Sequence, residues 1–502
     1  MDFQFDNLIF GFSLALTWQN LLFCFLGCLL GTLIGVLPGI GPLATISMLL
    51  SITVYFPPLT SLIMLSGIYY GAQYGGSTTA ILCRIPGESS SIITCLDGYE
   101  MAKQGRGGAA LATAALASLF AGIVGTLVIT MFSPVLAKVA VSFNAPEYFA
   151  LMLLGLISVV VFSQGSLLNA LAMACVGVML GLVGSDIETG TSRFTFGVTE
   201  LSEGLNLVAV GMGLFGLGEI ISNLSRHHRG EDIAVIETVD RLWLTGDEFK
   251  QAAPAAVRGT AIGSTLGLLP GGGVLLSTFA AYILEKKVSR TPERFGKGAI
   301  QGVASPEAAN NAAAQTSFIP LLTLGIPSTP TIALLLGAML IQGVQPGPQI
   351  LTEKPDLFWG LVASMFIGNA MLVIINLPMI GLWVRLLKIP YAILFPAILI
   401  FCCIGTLSLS NSMTDLVVMS GFAFLGIFLM AFGLQPVPML LGFILGPLAE
   451  ENLRRALVIS DGSFVSLLYR PITLGLILLT VVMLLSVLIP AIRQQKDAQD
   501  SD

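Results

Sequence analysis

Apolar runs, most of them at least about 17 residues and so long enough to cross a bilayer as a helix, follow one another along most of this chain. They lie near residues 20–56, 62–95, 108–132, 147–163, 165–184, 205–222, 253–284, 311–342, 357–380, 391–410, 413–433, 437–449 and 472–490. Hydrophobic residues make up 55% and charged residues only 10%, far below the roughly 25% charge of an ordinary soluble domain. A transmembrane barrel would instead show alternating segments of about ten residues. The chain therefore reads as an all-α polytopic membrane protein, with about 10–12 transmembrane helices by the length rule. Soluble enzymes, nucleic-acid binders and secreted disulfide scaffolds are excluded. The seven cysteines form no paired CxxC motif and read as packing residues. The start, MDFQFDNLIF, has no basic region and argues against a cleaved signal peptide.

Several runs are broken inside. Pro38-Gly39-Ile40-Gly41-Pro42 interrupts the first, Pro86-Gly87 the second, Pro270-Gly271-Gly272-Gly273 the run after residue 253, and Pro327 the next. These breaks are duplicated. Gly31–Gly41 and Gly263–Gly273 share the pattern GxxxGxLPGxG, displaced by 232 positions. Ile85-Pro86-Gly87 matches Ile326-Pro327-Ser328, and Met101-x-x-Gln104-Gly105 matches Met339-x-x-Gln342-Gly343. Two halves with matching interrupted segments are the signature of a secondary transporter. The expected organisation is a first membrane repeat over 1–222, a polar cytoplasmic linker over 223–252, a second repeat over 253–490 and a polar tail over 491–502. No Lys or Arg precedes Arg84, whereas Lys250 and Arg258 precede the second copy and five basic residues between Lys286 and Lys297 follow it. Basic loops stay cytoplasmic, so the two repeats are expected to be inverted.

Proline removes a backbone donor and glycine allows tight turns, so each break should end one half-helix and open another. Such backbone survives in a membrane only against protein or a water-filled cavity. A half-helix N-terminus offers free N–H groups and about half a positive charge to a carboxylate; half-helix C-termini offer carbonyl oxygens to Na⁺. Pro38, Gly39, Gly41, Pro86, Pro270, Gly271, Gly273 and Pro327 are accordingly candidate backbone ion or anion sites. The alternative is a kink with a close-contact GxxxG face.

Short hydroxyl and amide clusters flank the breaks. Ser77, Thr78 and Thr79 precede the first Ile-Pro, and Gly87 and Ser89 follow it; Ser328 and Thr329 follow the second. They can bind a carboxylate without a buried positive charge. Thr329-Pro330 also reads as an N-cap and first-turn proline. Ser305, Pro306 and Glu307 read as a helix start, while Asn310 and Asn311, in an Ala-rich apolar helix, are candidates for substrate or Na⁺ contact or for helix–helix hydrogen bonding. Arg84 can hold a substrate carboxylate or pair with Glu88 one turn later. His227-His228 reads as solvated.

GTLIGVLPGIGP, YGGSTTAILCRIPGESSS, SPEAANNAAAQTSFIPLLTLGIPSTPT and FILGPLAEENLRRAL resemble the large membrane subunit of the tripartite tricarboxylate transporters, the TctA family, over essentially the whole chain. The resemblance implies a secondary transporter of the bacterial inner membrane that imports tricarboxylates or related organic acids on a Na⁺ or H⁺ gradient. It also implies a small TctB-like membrane subunit and a periplasmic TctC-like solute-binding protein. No cofactor is expected beyond the coupling cation, and no nucleic acid. Enzymatic readings fail on inventory: both histidines sit in one polar loop, and HExxH, GxGD and Walker A motifs are lacking. The competing reading is an organic-anion channel lined by two re-entrant repeats.

Overall fold

The computed structural model describes residues 2–37, 41–140, 142–163, 166–186, 189–218, 221, 242–269, 273–387, 396, 399–400, 402–407 and 412–499. Pro38, Gly39, Pro270, Gly271, His227 and His228 lie outside them. The helices that organise the molecule are α1 (Asp2–Ala15), α2 (Trp18–Val36), α3 (Gly41–Thr53), α4 (Pro58–Cys83), α5 (Thr94–Met101), α6 (Gly107–Ala140), α7 (Ala145–Phe162) and α8 (Leu167–Gly181). They continue with α9 (Gly246–Leu266), α10 (Gly273–Val288), α11 (Gln301–Thr316), α12 (Phe318–Leu324), α13 (Pro330–Ile341), α14 (Pro355–Asn376), α15 (Met413–Ala431), α16 (Pro436–Ile459) and α17 (Pro471–Gln499). One two-residue antiparallel ladder pairs Gly184–Ser185 with Ser192–Arg193. The protein is an all-α polytopic membrane protein.

Five described helices are long and apolar enough to cross a membrane: Trp18–Val36, Thr94–Lys138, Ala145–Phe162, Pro355–Asn376 and Met413–Ala431. Others, including Gly41–Thr53 and Pro330–Ile341, are apolar but shorter, as half-helices on either side of a break would be. The helix starts carry local signals. Thr245 and Glu248 form a reciprocal capping box at α9, and Asn144 and Glu147 form another at α7. The Thr329 hydroxyl accepts from the Ile332 amide at 3.1 Å, with Pro330 in the first turn of α13.

One packing motif occurs twice. α2 lies against α4 with almost no space between backbones: a Cβ on Gly31 would fall 2.4 Å from the Ile68 carbonyl oxygen. α9 lies against α11 in the same way, a Cβ on Gly263 falling 2.2 Å from the Ala309 carbonyl oxygen. Only glycine permits such an approach, which replaces side-chain packing by backbone contact. Positions 31 and 263 differ by 232, and their partners 68 and 309 by 241. The second offset carries Ile85-Pro86-Gly87 onto Ile326-Pro327-Ser328.

One sequence expectation is corrected here. α11 begins at Gln301 rather than at Ser305, so Ser305, Pro306 and Glu307 lie inside it. The reason is tertiary: the buried Asp97 carboxylate accepts the amides of Gly296, Gly298 and Ala299 at 2.9, 2.8 and 2.7 Å, shaping the approach to the helix from 200 residues away. Helices also occupy parts of the two polar segments. α9 starts within 223–252, and α17 continues through 491–499.

Candidate functional site

The helix ends around the breaks fall at corresponding positions of the two halves. α2 ends at Val36, with Leu37 already extended, and α3 begins at Gly41, whose φ is +59°. α9 ends at Leu266 and α10 begins at Gly273. At the second pair of breaks, α4 ends on Arg84 and α12 on Gly325, both in left-handed conformation.

These ends converge. A cavity of about 480 Å³ is lined by Gly41, Pro42 and Leu43 at the start of α3, by Val274 and Leu275 at the start of α10, by Pro86, Gly87, Glu88, Ser89 and Ser90, and by Thr329, Pro330 and Thr331 at the start of α13. Tyr69 and Gln73 of α4, Val159, Phe162 and Ser163 at the end of α7, and Gln435 and Val437 complete the wall. The first turns of three helices, α3, α10 and α13, thus face one space. None of its described wall residues is Lys, Arg or His. The positive potential that the described wall offers comes from backbone N–H groups and helix dipoles. Gln73 organises one side, donating to Glu88 Oε2 at 2.9 Å and accepting from the Ser90 hydroxyl at 3.0 Å.

The profile of the tripartite tricarboxylate transporter TctA family matches residues 21–441. The chain belongs to the TctA family. An Agrobacterium vitis protein described as an uncharacterized 52.8 kDa protein in the TAR-I ttuC' 3' region is 55% identical over 492 residues, 98% of each chain. A second A. vitis protein, from the TAR-II ttuC' 3' region, is 54% identical over 235 residues, covering 47% of this chain and 97% of its own. No solved structure matches. As a TctA protein, the chain is a transporter subunit.

Within this TctA chain, Gly41, Pro86, Gly87, Ser89 and Thr329 stand in the cavity wall, and Gly273 adjoins it at Val274. The other described candidates do not line it. Ser77 donates to Glu307 Oε2 at 2.6 Å. Thr79 bonds the carbonyls of Gly35 at 3.3 Å and Val36 at 2.8 Å, holding the end of α2. Ser328 donates to the Ser317 carbonyl at 3.2 Å. Thr78 lines a separate small void, and Pro327 is buried beside the wall segment. Asn311 donates to Ser118 Oγ at 2.6 Å and to the Glu307 carbonyl at 3.1 Å. Neither amide atom of Asn310, which is 1% exposed, has a protein partner.

Arg84 does not pair with Glu88. The helix that would place them one turn apart ends at Cys83, and the guanidinium lies over the Tyr99 ring, 5.8 Å from its centroid. Tyr69, Gln73 and Gln435 were not legible as wall residues. Tyr69 and Gln73 do share a helical face at i, i+4 spacing, but nothing local distinguishes that face from the rest of a wholly buried helix.

Proposed function

We propose that this chain is the large membrane subunit of a binding-protein-dependent secondary transporter in the bacterial inner membrane, importing tricarboxylates or related organic acids on a cation gradient. The observation that carries this reading is the convergence of the α3, α10 and α13 first turns, drawn from both halves of the chain, on a cavity with no cationic side chain among its described wall residues. Helix N-termini bind carboxylates through oriented N–H groups, each contributing about 0.3–1 kcal/mol at a surface and up to ~2 kcal/mol when partly buried. A volume of about 480 Å³ suits a small metabolite, since such sites span roughly 300–1,000 Å³.

Ser89, Thr329 and the backbone at Gly41, Gly87 and Gly273 hold the anion in this reading. Ser77, Thr78, Thr79 and Ser328 buttress the helix ends, and Asn310 and Asn311 orient the site from behind. Glu88 in the same wall repels an anion, and entry together with Na⁺ or H⁺ offsets that repulsion, an electrostatic reason for cation coupling. The two repeats, 1–222 and 253–490, rock against each other to expose the cavity alternately. A TctB-like small subunit and a TctC-like periplasmic protein complete the system, the latter delivering substrate.

The test is uptake of a panel of radiolabelled organic acids into right-side-out membrane vesicles carrying the chain and both partners, with and without a Na⁺ or proton gradient. Saturable, gradient-driven accumulation that requires the binding protein is expected. Non-saturable flux that follows the substrate gradient and ignores the binding protein would establish a channel instead.

A further inference from the structure

Glu307 has no exposed surface, and its carboxylate is held by hydroxyls: Ser77 donates to Oε2 at 2.6 Å and Thr94 to Oε1. No Lys, Arg or His among the described residues pairs with it. An ionised carboxylate so deeply buried is costly unless a positive charge comes close. Next to it lies a void of about 10 Å³, the room of roughly one water-sized sphere. Five residues with side-chain oxygens, Tyr74, Ser77, Thr78, Ser118 and Asn376, line one part of it, and apolar residues such as Leu111, Ala115 and Ile380 line the rest. The Tyr74 hydroxyl and Asn376 Oδ1, on residues 3% and 5% exposed, have no hydrogen-bond partner among the described residues. Ser77 belongs to both features. A hydroxyl that gives its hydrogen to the carboxylate keeps its lone pairs for a cation on the other side.

We infer that this void is a Na⁺ site. The oxygens of Tyr74, Ser77, Thr78, Ser118 and Asn376 coordinate the ion, and Glu307 supplies the compensating charge one hydroxyl away. Wall chemistry selects a cation, because oxygens with a carboxylate behind them repel an anion, and a space of about one water-sized sphere holds one desolvated monovalent ion. α4 connects the ion to the larger cavity. Its residues Tyr69 and Gln73 stand in the cavity wall, whereas Tyr74, Ser77 and Thr78 face the void. An ion bound on one side therefore fixes the helix that shapes the other. The inference rests on the reading of a cation-coupled transporter and names where its cation binds.

The experiment uses the purified full chain in nanodiscs, with no organic acid and no partner protein. Thermal unfolding is followed while Na⁺, K⁺ or choline is titrated at constant ionic strength, and ²²Na⁺ binding is measured by equilibrium dialysis. A saturable rise in Tm with Na⁺ alone is expected, with Tyr74→Phe and Asn376→Ala each weakening Na⁺ binding about tenfold or more. If Asn376→Ala does not fold, Tyr74→Phe, which removes one oxygen and keeps the ring, decides. Equal responses to all three cations, stabilisation only on acidification, or unchanged Na⁺ affinity in the variants would overturn the site. Since no substrate is present, such a result leaves the uptake experiment standing, and a failed uptake experiment leaves this one standing.

Discussion

Arg84 and Gly325 hold the same left-handed backbone, with φ of +58° and +71°, at positions 241 apart where one helix of each half ends. The conformation is unstrained for glycine and costs an L-residue about 1–2 kcal/mol. Arg84 recovers part of that through Tyr99, a contact worth about 0.5–1 kcal/mol. Arg84→Gly should therefore leave stability within about 0.5 kcal/mol of the parent, whereas Gly325→Ala, whose Cβ would also meet the Pro346 carbonyl oxygen at 3.1 Å, should lose about 1–2 kcal/mol. Denaturant unfolding in a mild detergent measures both. Equal losses at the two positions would contradict the assignment of strain.

The glycine seams predict a sharp contrast between substitutions that look alike. Gly31→Ala and Gly263→Ala put a Cβ within 2.4 Å of a carbonyl oxygen on the facing helix, so α2 or α9 must move away. A loss of roughly 3 kcal/mol or more, or failure to accumulate in the membrane, is expected. Gly421→Ala, in α15 with open space at the Cβ, should be neutral or stabilising by up to about 1 kcal/mol. Folded yield by gel filtration separates these outcomes.

Asn310→Leu and Asn311→Leu should each abolish gradient-driven uptake while the protein still reaches the membrane. Asn311 links α11 to Ser118 on α6, and Asn310 places two buried amide atoms with no protein partner in the same helix. Uptake at parental rate in both variants would remove these residues from the mechanism.

Arg106 pairs with Glu248, in the first turn of α9, through a 2.8 Å ion pair. Burial alone would raise the Glu248 carboxyl, but the Thr245 amide and hydroxyl and the Arg106 guanidinium outweigh it and hold the group below its usual range. A carboxylate whose folded value is depressed contributes stability above its unfolded pKa of about 4.3 and loses it as pH falls through the lower folded value. Unfolding midpoints should thus drop in acid more for the parent than for Glu248→Gln. The difference should be on the order of 1 kcal/mol or less, because the pair is partly solvated. Identical acid profiles would show that the pair contributes nothing.

Some features were readable residue by residue. Thr329-Pro330 starts a helix because its hydroxyl and ring act on the next few residues, and the structure keeps that start. Ser305-Pro306-Glu307 carries as good a local signal, yet α11 begins earlier because Asp97 shapes the turn ahead of it. Ser77 and Thr79 looked like ligands by residue type; their hydroxyls go to Glu307 and to the end of α2. Hydroxyls serve both uses equally well, and only the partner at the other end distinguishes them.

The sequence by itself determined that this chain lives in a membrane and that its glycine-spaced segments recur. Chain-local physics dictates both: a bilayer excludes charge, and glycine alone lets backbones touch. Tertiary structure decided that the starts of α3, α10 and α13 surround a single cavity and that Glu307 is buried on Ser77 and Thr94. Those arrangements bring together residues more than 200 positions apart, and their energies depend on burial and on partner geometry, which no spacing along the chain encodes.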